Sequence, residues 1–470
     1  MHAWFLPPPG ATRGFVRLCL SASIASLALG TWIAPGLADE VRTGPAVGST
    51  FAVAPFHRDG QPEALFVAWY DPDGAAVRSG VLTLEDAGFV AFSPLPTNYV
   101  TNLTVGVGGS PAHPRAYVAW VGRSHELIAG VFDADGAVIR SPAPIASAVQ
   151  VVPVRIAGTG DGAIVGHVWD TNAYWDPRAL SLDLNGGTTA EVIAENVVSP
   201  EQTMGITVSA GSGARYAILY IVSDTHDARL RRFDAAGPLD PAPVDVMADS
   251  GGDYIPFNAA YEPDGTPPFL FLAVPGASTA LGSDLRFAHT TLDAGAVTPG
   301  PFLSELSPTF TGSAVDMAGL DGSPELAVVL WQEIELQDSC LCTTPPPVRV
   351  DFYAQAVRAG ASPEAHGSAV LVYRWLEGDP IGPPTTAPVL AASRGTPGRF
   401  AVVWSDGLLR YTMHDISAIT AVNPPSRLPP TLAALLPSVP NPFSRATTLR
   451  YVLRHAAAVR LVILERGPWT

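Results

Sequence analysis

The densest group of chemically capable side chains in the chain is Ser223-Asp224-Thr225-His226-Asp227. A hydroxyl, carboxylates and an imidazole so close together supply the parts of a carboxylate–histidine metal or ligand site; they equally make a solvated turn. Ser124-His125-Glu126 is expected in the same inter-strand loop one repeat earlier, so that the two could converge at one mouth of a ring. The remaining histidines, among them His57, His113, His289, His366 and His414, are scattered, and neither H-E-x-x-H nor H-x-H occurs. His167 falls inside an apolar run, where a hydrogen-bonded core histidine is the expected role. No G-x-S-x-G and no phosphate-binding glycine loop is present. Calcium is the one cofactor the acids suggest, through Asp71-Pro72-Asp73-Gly74, Asp133-Ala134-Asp135-Gly136 and Glu262-Pro263-Asp264-Gly265. A calcium loop of the helix–loop–helix type needs a third oxygen ligand before the glycine and a bidentate Glu after it, and none of the three has both. Asp and Gly also dominate hairpin turns because they tolerate left-handed geometry, so turns are the preferred reading. Distant acids could still meet as a pair about 5–10 Å apart for glycoside hydrolysis. Nothing selects the pair, and no catalytic, cofactor-binding or metal residue is assigned.

The elements that would position such groups follow from composition and pattern. The chain has 470 residues, of which 47% are hydrophobic and 15% charged, so it can bury a large core. Its 46 Pro and 44 Gly call for many turns and short elements. A net charge of −16 leaves no basic surface to neutralise phosphates, which argues against nucleic acid. Every one of the 27 basic residues is Arg, which removes Schiff-base and lysine-nucleophile chemistry. Arg13 and Arg17 before the apolar stretch Leu18–Gly30, with small residues ahead of Asp39, predict a signal peptide over residues 1–38. That stretch is short for a membrane span, and no other segment approaches one. After its removal two cysteines remain, Cys340 and Cys342. They would pair only where the chain bends, as Pro345-Pro346-Pro347 favours; a local disulfide and two free thiols both stay open.

Seven apolar runs recur: ALFVAWY, RAYVAWV, AIVGHVW, YAILYIV, PFLFLAV, LAVVLWQ and FAVVWSD. Aligned on Trp69, Trp120, Trp169, Tyr220, Ala273, Trp331 and Trp404, they are separated by 51, 49, 51, 53, 58 and 73 residues. Each run is rich in β-branched and aromatic residues and too short for an ordinary helix, which predicts a buried strand. A small-residue strand such as Asn102–Gly108 or Gly205–Gly211 precedes it, and a third strand, a tight turn and a more polar fourth strand follow. Four strands in roughly 50 residues, repeated, predict an all-β fold: a β-propeller over 39–423, with about seven four-stranded blades and six as the rival count. The indoles should fill the wedges between blades. The two long steps predict insertions at Glu333–Val348 and Gly367–Thr385.

An apolar run ending in Trp, a polar loop and a strand closing on Asp-x-x-Gly resembles the repeats of exported bacterial proteins with propeller-like folds. The pattern is clearest at LAVVLWQ followed by VDFYAQAVRAG, and it implies an architecture rather than an activity. After a Pro-rich linker over 424–437, SVPNPFSRATTLRYVLRHAAAVRLVI is similar to the start of the sorting, or FlgD-type immunoglobulin-like, domain of type IX cargo proteins. Pro440, Asn441, Pro442 and Phe443 match the head of that motif, Thr448, Leu449, Tyr451 and Leu453 its first strand, and Val459, Leu461 and Ile463 its second. Ser444-Arg445 and Leu464-Glu465 depart from it, and the chain stops seven residues after Ile463. The expectation is a truncated domain at 438–470, its two strands paired as an incomplete immunoglobulin-like hairpin. The resemblance implies type IX export machinery as a partner for a complete domain, and a place outside a Gram-negative-type cell or, with the domain truncated, in its periplasm.

Two function classes follow. One is an exported, non-catalytic propeller that binds protein or glycan through its loops. The other is a secreted hydrolase or lyase acting on polysaccharide or peptide with acids at one mouth of the ring. The absence of any catalytic motif favours the first.

Overall fold

The computed structural model describes residues 40–420 except 49, 151–153, 171–174, 198–202, 212–214, 223–226, 248–257, 262–268, 280–281, 292–294, 306–314, 321–322, 337–346 and 361–362. Near the ends it describes residues 2–5, 16–21, 433–439, 448–453 and 460–465. Each of the seven apolar runs is a strand, and each is the second strand of an antiparallel sheet of four or five strands. Blade I begins with Phe51–Phe56 and Ala64–Asp71, blade II with Thr101–Ser110 and His113–Val121, blade III with Arg155–Thr159 and Gly162–Asp170. Blade IV begins with Thr203–Ala210 and Tyr216–Val222, and blade V with Asn258–Tyr261 and Phe269–Thr279. Val315–Leu320 and Ser323–Leu336 open blade VI, and Val389–Ala392 and Arg399–Ser405 open blade VII. The first strand of each blade lies beside the first strands of its two neighbours, and Val389–Ala392 lies beside Phe51–Phe56. The fold is thus an all-β propeller of four-stranded blades, with seven sheets closing the ring among the described residues.

Radial geometry explains which residue goes where. Near the axis neighbouring sheets almost touch, so the first strands are small-residue segments. A Cβ on Gly158 of blade III would fall 1.7 Å from the Val107 carbonyl oxygen of blade II, and one on Gly108 1.9 Å from the Gly162 oxygen. Farther out the sheets diverge and large side chains fill the gap. Seven apolar clusters are described, one in each seam between adjacent blades. Trp120, Trp331, Trp404 and Tyr220 are fully buried there, and removing such a side chain from water contributes about 2–3 kcal/mol. Trp169 departs from the expectation. It is only half-buried, with the Arg178 guanidinium stacked 3.7 Å over its ring.

The ring is closed by a segment that the repeat pattern did not single out. Arg42–Ala46, from before blade I, forms the outer strand of blade VII, with Arg42 opposite Tyr411 and Ala46 opposite Leu408. Val47 N–H donates to the Gly407 carbonyl at 3.1 Å, and Arg410 to the Thr43 hydroxyl. Blade VI corrects the predicted insertions. Glu333–Leu336 extends the second strand and pairs with Pro347–Asp351, and Gly367–Leu376 belongs to the fourth strand, Glu364–Leu376. Charged residues pay for the extra length by pairing across strands: Arg349 with Glu335 at 3.2 Å and Arg374 with Asp351 at 2.7 Å. Cys340 and Cys342 lie outside the described residues.

The chain divides into two compact units, the ring at Gly36–Val422 and a second made of Met1–Pro35 with Asn423–Thr470. In the second unit the predicted hairpin is corrected. Thr448–Leu453 pairs with Ala433–Val439, and Arg460–Glu465 pairs with Val16–Ser21. A two-stranded hairpin leaves both edges unsatisfied, and here each apolar strand finds a different partner. Ala433–Val439 includes part of the predicted linker; its register shifts between Leu436 and Val439, around Pro437, which has no N–H to donate. Pro440, Asn441, Pro442 and Phe443 lie outside the described residues, as do residues 22–38 of the predicted signal peptide. Among the described residues no helix is long and apolar enough to cross a membrane.

His167 is fully buried on the same face of its strand as Ala163 and Val165, in the seam between blades II and III. Neither ring nitrogen has a hydrogen bond of good geometry, and the Val165 backbone gives it only a weak polar contact, so it is a core histidine poorly served by partners. Burial pulls its pKa from 6.5 to about 4, opposed by Glu191 and assisted by Arg178. As pH falls through this window the unfolded chain takes up a proton that the fold refuses, so stability present at neutral pH is lost on acidification. The loss should be about 3 kcal/mol between pH 6.5 and 4. Urea unfolding across that range should show His167→Leu with a shallower pH dependence than the wild type; parallel profiles would refute this role. Gly158→Ala should lower the thermal midpoint by many degrees, whereas Gly160→Ala, with nothing within 4 Å of its Cβ, should leave it nearly unchanged.

Candidate functional site: the central channel

The first strands surround a cavity of about 470 Å³ lined by blades I, II, III, IV, VI and VII among the described residues. The twofold alternation of each strand, with small side chains imposed by crowding, leaves room for a channel. Thr104 of blade II and Thr207 and Ser209 of blade IV line it, and all three are nearly fully buried. Two charged groups enter from opposite sides of the ring: Arg155, which opens the first strand of blade III, and Asp316 in the first strand of blade VI. Arg394 adds a second cation to the lining.

The two charges are held differently. Asp316 Oδ1 accepts the Met317 N–H at 2.9 Å, and its Oδ2 accepts the Leu390 N–H of blade VII at 2.6 Å. Both of its oxygens are thus occupied by backbone amides, one of them from the neighbouring blade. Arg155 gives one hydrogen bond, from Nη1 to the Val154 carbonyl at 3.3 Å. It is half-buried and lines the channel. Burial pushes its pKa down, and the charge of Asp316 pushes it back up. A guanidinium remains protonated under any ordinary condition, so the channel carries a permanent, under-used donor fork.

The groups nominated from sequence are not gathered here. Ser124-His125-Glu126 closes the hairpin between the second and third strands of blade II; His125 takes φ +59°, donates its N–H to the Gly122 carbonyl and places Nδ1 3.2 Å from the Val149 oxygen. Residues 223–226 lie outside the described residues, and Asp227 Oδ2 is 3.9 Å from Arg229 Nη2. The two loops belong to blades II and IV, with blade III between them. The Asp-Gly segments act as turns. Asp71 accepts the Gly74 N–H at 3.0 Å and pairs with Arg78 at 2.5 Å, which together hold its pKa below the usual value. Asp133 accepts the Asp135 and Ala137 N–H groups at 3.0 and 2.8 Å, while Asp135 pairs with Arg58 at 2.7 Å. Glu262-Pro263-Asp264-Gly265 is outside the described residues. No group of three His, Cys, Asp or Glu suited to a metal occurs among the described residues.

Several polar clusters went unseen in the sequence because their members come from separate segments. Arg232, fully buried, pairs with Asp240 at 2.6 Å and donates to Thr290 Oγ1 and the Thr291 and Gly295 carbonyls, tying blade IV to blade V. The Tyr220 hydroxyl donates to Glu195 at 2.8 Å, and Arg229 reaches the same carboxylate at 3.0 Å; burial and Glu195 drive the phenol pKa far up. In blade VI, Asp351 is enclosed by Arg374, Arg349 and Tyr353, and burial raises the pKa of the neighbouring Glu333. All three sit away from the channel lining.

No protein-family model matches the chain, and no curated protein matches it. Solved structures do. The SapL1 lectin, determined in complex with alpha methyl fucoside, matches with 13% identity over 71% of this chain and 99% of its own, at a TM-score of 0.43. The Aleuria aurantia lectin, described as a six-bladed β-propeller with a novel fucose recognition mode, matches with 14% identity over 70% and 98%, at 0.39. The alpha-L-arabinanase of Penicillium chrysogenum, complexed with arabinobiose, matches with 10% identity over 81% and 100%, at 0.40.

Proposed function

We propose that this protein is a non-catalytic binding module whose ligand, a glycan or a small polar molecule, enters the central channel. One observation carries the reading. The channel presents hydroxyls and a guanidinium, while its described carboxylate, Asp316, has both oxygens committed to backbone amides of blades VI and VII. Glycoside hydrolysis by a carboxylate pair needs a second acid about 5–10 Å away with a face open to substrate, and the described lining offers Asp316 alone. A cavity of this volume is in the range of small-molecule sites, about 300–1,000 Å³. The residues of the N-terminal signal and the Pro440–Phe443 motif support export as the setting for such binding, with protein or glycan at the cell surface as partner.

A glycan array followed by calorimetry on the best hits should find a ligand retained intact. Ala318→Trp, which adds an indole to the channel wall of blade VI, should weaken it at least tenfold, with near-UV circular dichroism checking that the ring still folds. Shortened products after incubation with polysaccharide would overturn the reading in favour of a hydrolase.

A further inference from the structure

Arg155 is the feature of the channel that the ring does not consume. Elsewhere in the ring arginines are engaged: the fully buried Arg232 gives its guanidinium to Asp240, Thr290, Thr291 and Gly295, and the exposed Arg374 is bidentate to the buried Asp351. Arg155 makes a single 3.3 Å bond to its neighbour's carbonyl. Its counter-charge, Asp316, stands across the ring and is itself satisfied by the Met317 and Leu390 amides. Among the described lining residues, Arg155 and the exposed Arg394 are the cations and Asp316 the anion, in a chain whose net charge is −16. A small anion that enters finds local attraction in a molecule that otherwise repels it.

We propose that the channel selects a small sugar acid, with the Arg155 guanidinium holding its carboxylate. This rests on the channel-binding reading above. The planar fork of arginine matches the two oxygens of a carboxylate, which a point charge does not. Thr104 and Ser209 line the same space and carry hydroxyls of the kind that exchange hydrogen bonds with ring hydroxyls. Asp316 has a defined part in this arrangement: it keeps the cation tolerable at depth while the channel is open to water, and it disfavours ligands carrying more than one negative charge.

The test uses galacturonate, galactose and inorganic phosphate as probes of the purified full chain by calorimetry at low and high salt. Galacturonate should bind at least tenfold tighter than galactose, and the preference should shrink with salt. Arg155→Met should abolish the preference, and Arg155→Lys should retain part of it. The proposal is overturned if the wild type takes no galacturonate, if it does not distinguish the two sugars, if phosphate competes equally, or if Arg155→Met keeps the preference. Should Arg155→Met fail to fold, the salt dependence and Arg155→Lys decide. Equal binding of both sugars, lost together in Ala318→Trp, would leave the channel reading standing and remove the sugar acid; binding that survives Ala318→Trp would remove the channel itself.

Discussion

The structure depends on how closely neighbouring sheets approach at the axis. A propeller holds together only if every first strand lies against two others, and the Gly158–Val107 and Gly108–Gly162 contacts show how little room is left. Crowding at the centre and divergence outside impose a radial gradient of side-chain size. Small residues such as Gly106, Gly108, Ala157, Gly158, Ala318 and Gly319 recur in the first strands, and the large indoles fill the seams farther out. The channel is a product of the same gradient, since large side chains on the first strands would have filled it. Closure then makes the contacts mutual: the pairing of Arg42–Ala46 with Leu408–Asp415 joins the two ends of the ring and gives each blade two neighbours.

The buried ion pairs inside the ring follow a rule from which Arg155 departs. Buried charges are costly unless they are paired and hydrogen-bonded; Arg232, Asp240 and Asp351 meet that requirement, and the half-buried Asp316 is held by two backbone amides. Each of these ties different strands together, so the arrangement also serves register and blade-to-blade alignment. His167 meets it by losing its charge. Arg155 cannot lose its charge and is poorly hydrogen-bonded, which is tolerated only because it borders a cavity that water or a ligand can enter.

Much of the fold was legible because repetition averages out local ambiguity. A single run such as YAILYIV cannot be told from a piece of buried helix, but seven runs at comparable spacing, several preceded by a small-residue strand and followed by a turn rich in Asp, Asn and Gly, admit few architectures. The turns were legible for the same local reason: the carboxylates of Asp71 and Asp133 bond amides within a few residues of themselves. The misread parts involve partners distant in sequence. The strands Thr448–Leu453 and Arg460–Glu465 were visible from alternation, but their pairing with Ala433–Val439 and Val16–Ser21 was not. The polar residues of blade VI read as inserted loops because their cross-strand charge partners are far along the chain.

The sequence by itself determined the secondary structure, the blade repeat and the fate of the turn acids, because these rest on spacing and on side chains that act within a few residues. Only the tertiary structure decided the closing strand, the partners of Arg232 and Asp351, and the meeting of Arg155 with Asp316 across the ring. Arg155 opens an ordinary-looking strand, RIAGT, and Asp316 sits in VDMAGL. Neither segment carries a local sign of chemistry. Their significance is electrostatic and depends on distance through space, which a sequence expresses only once the ring has closed.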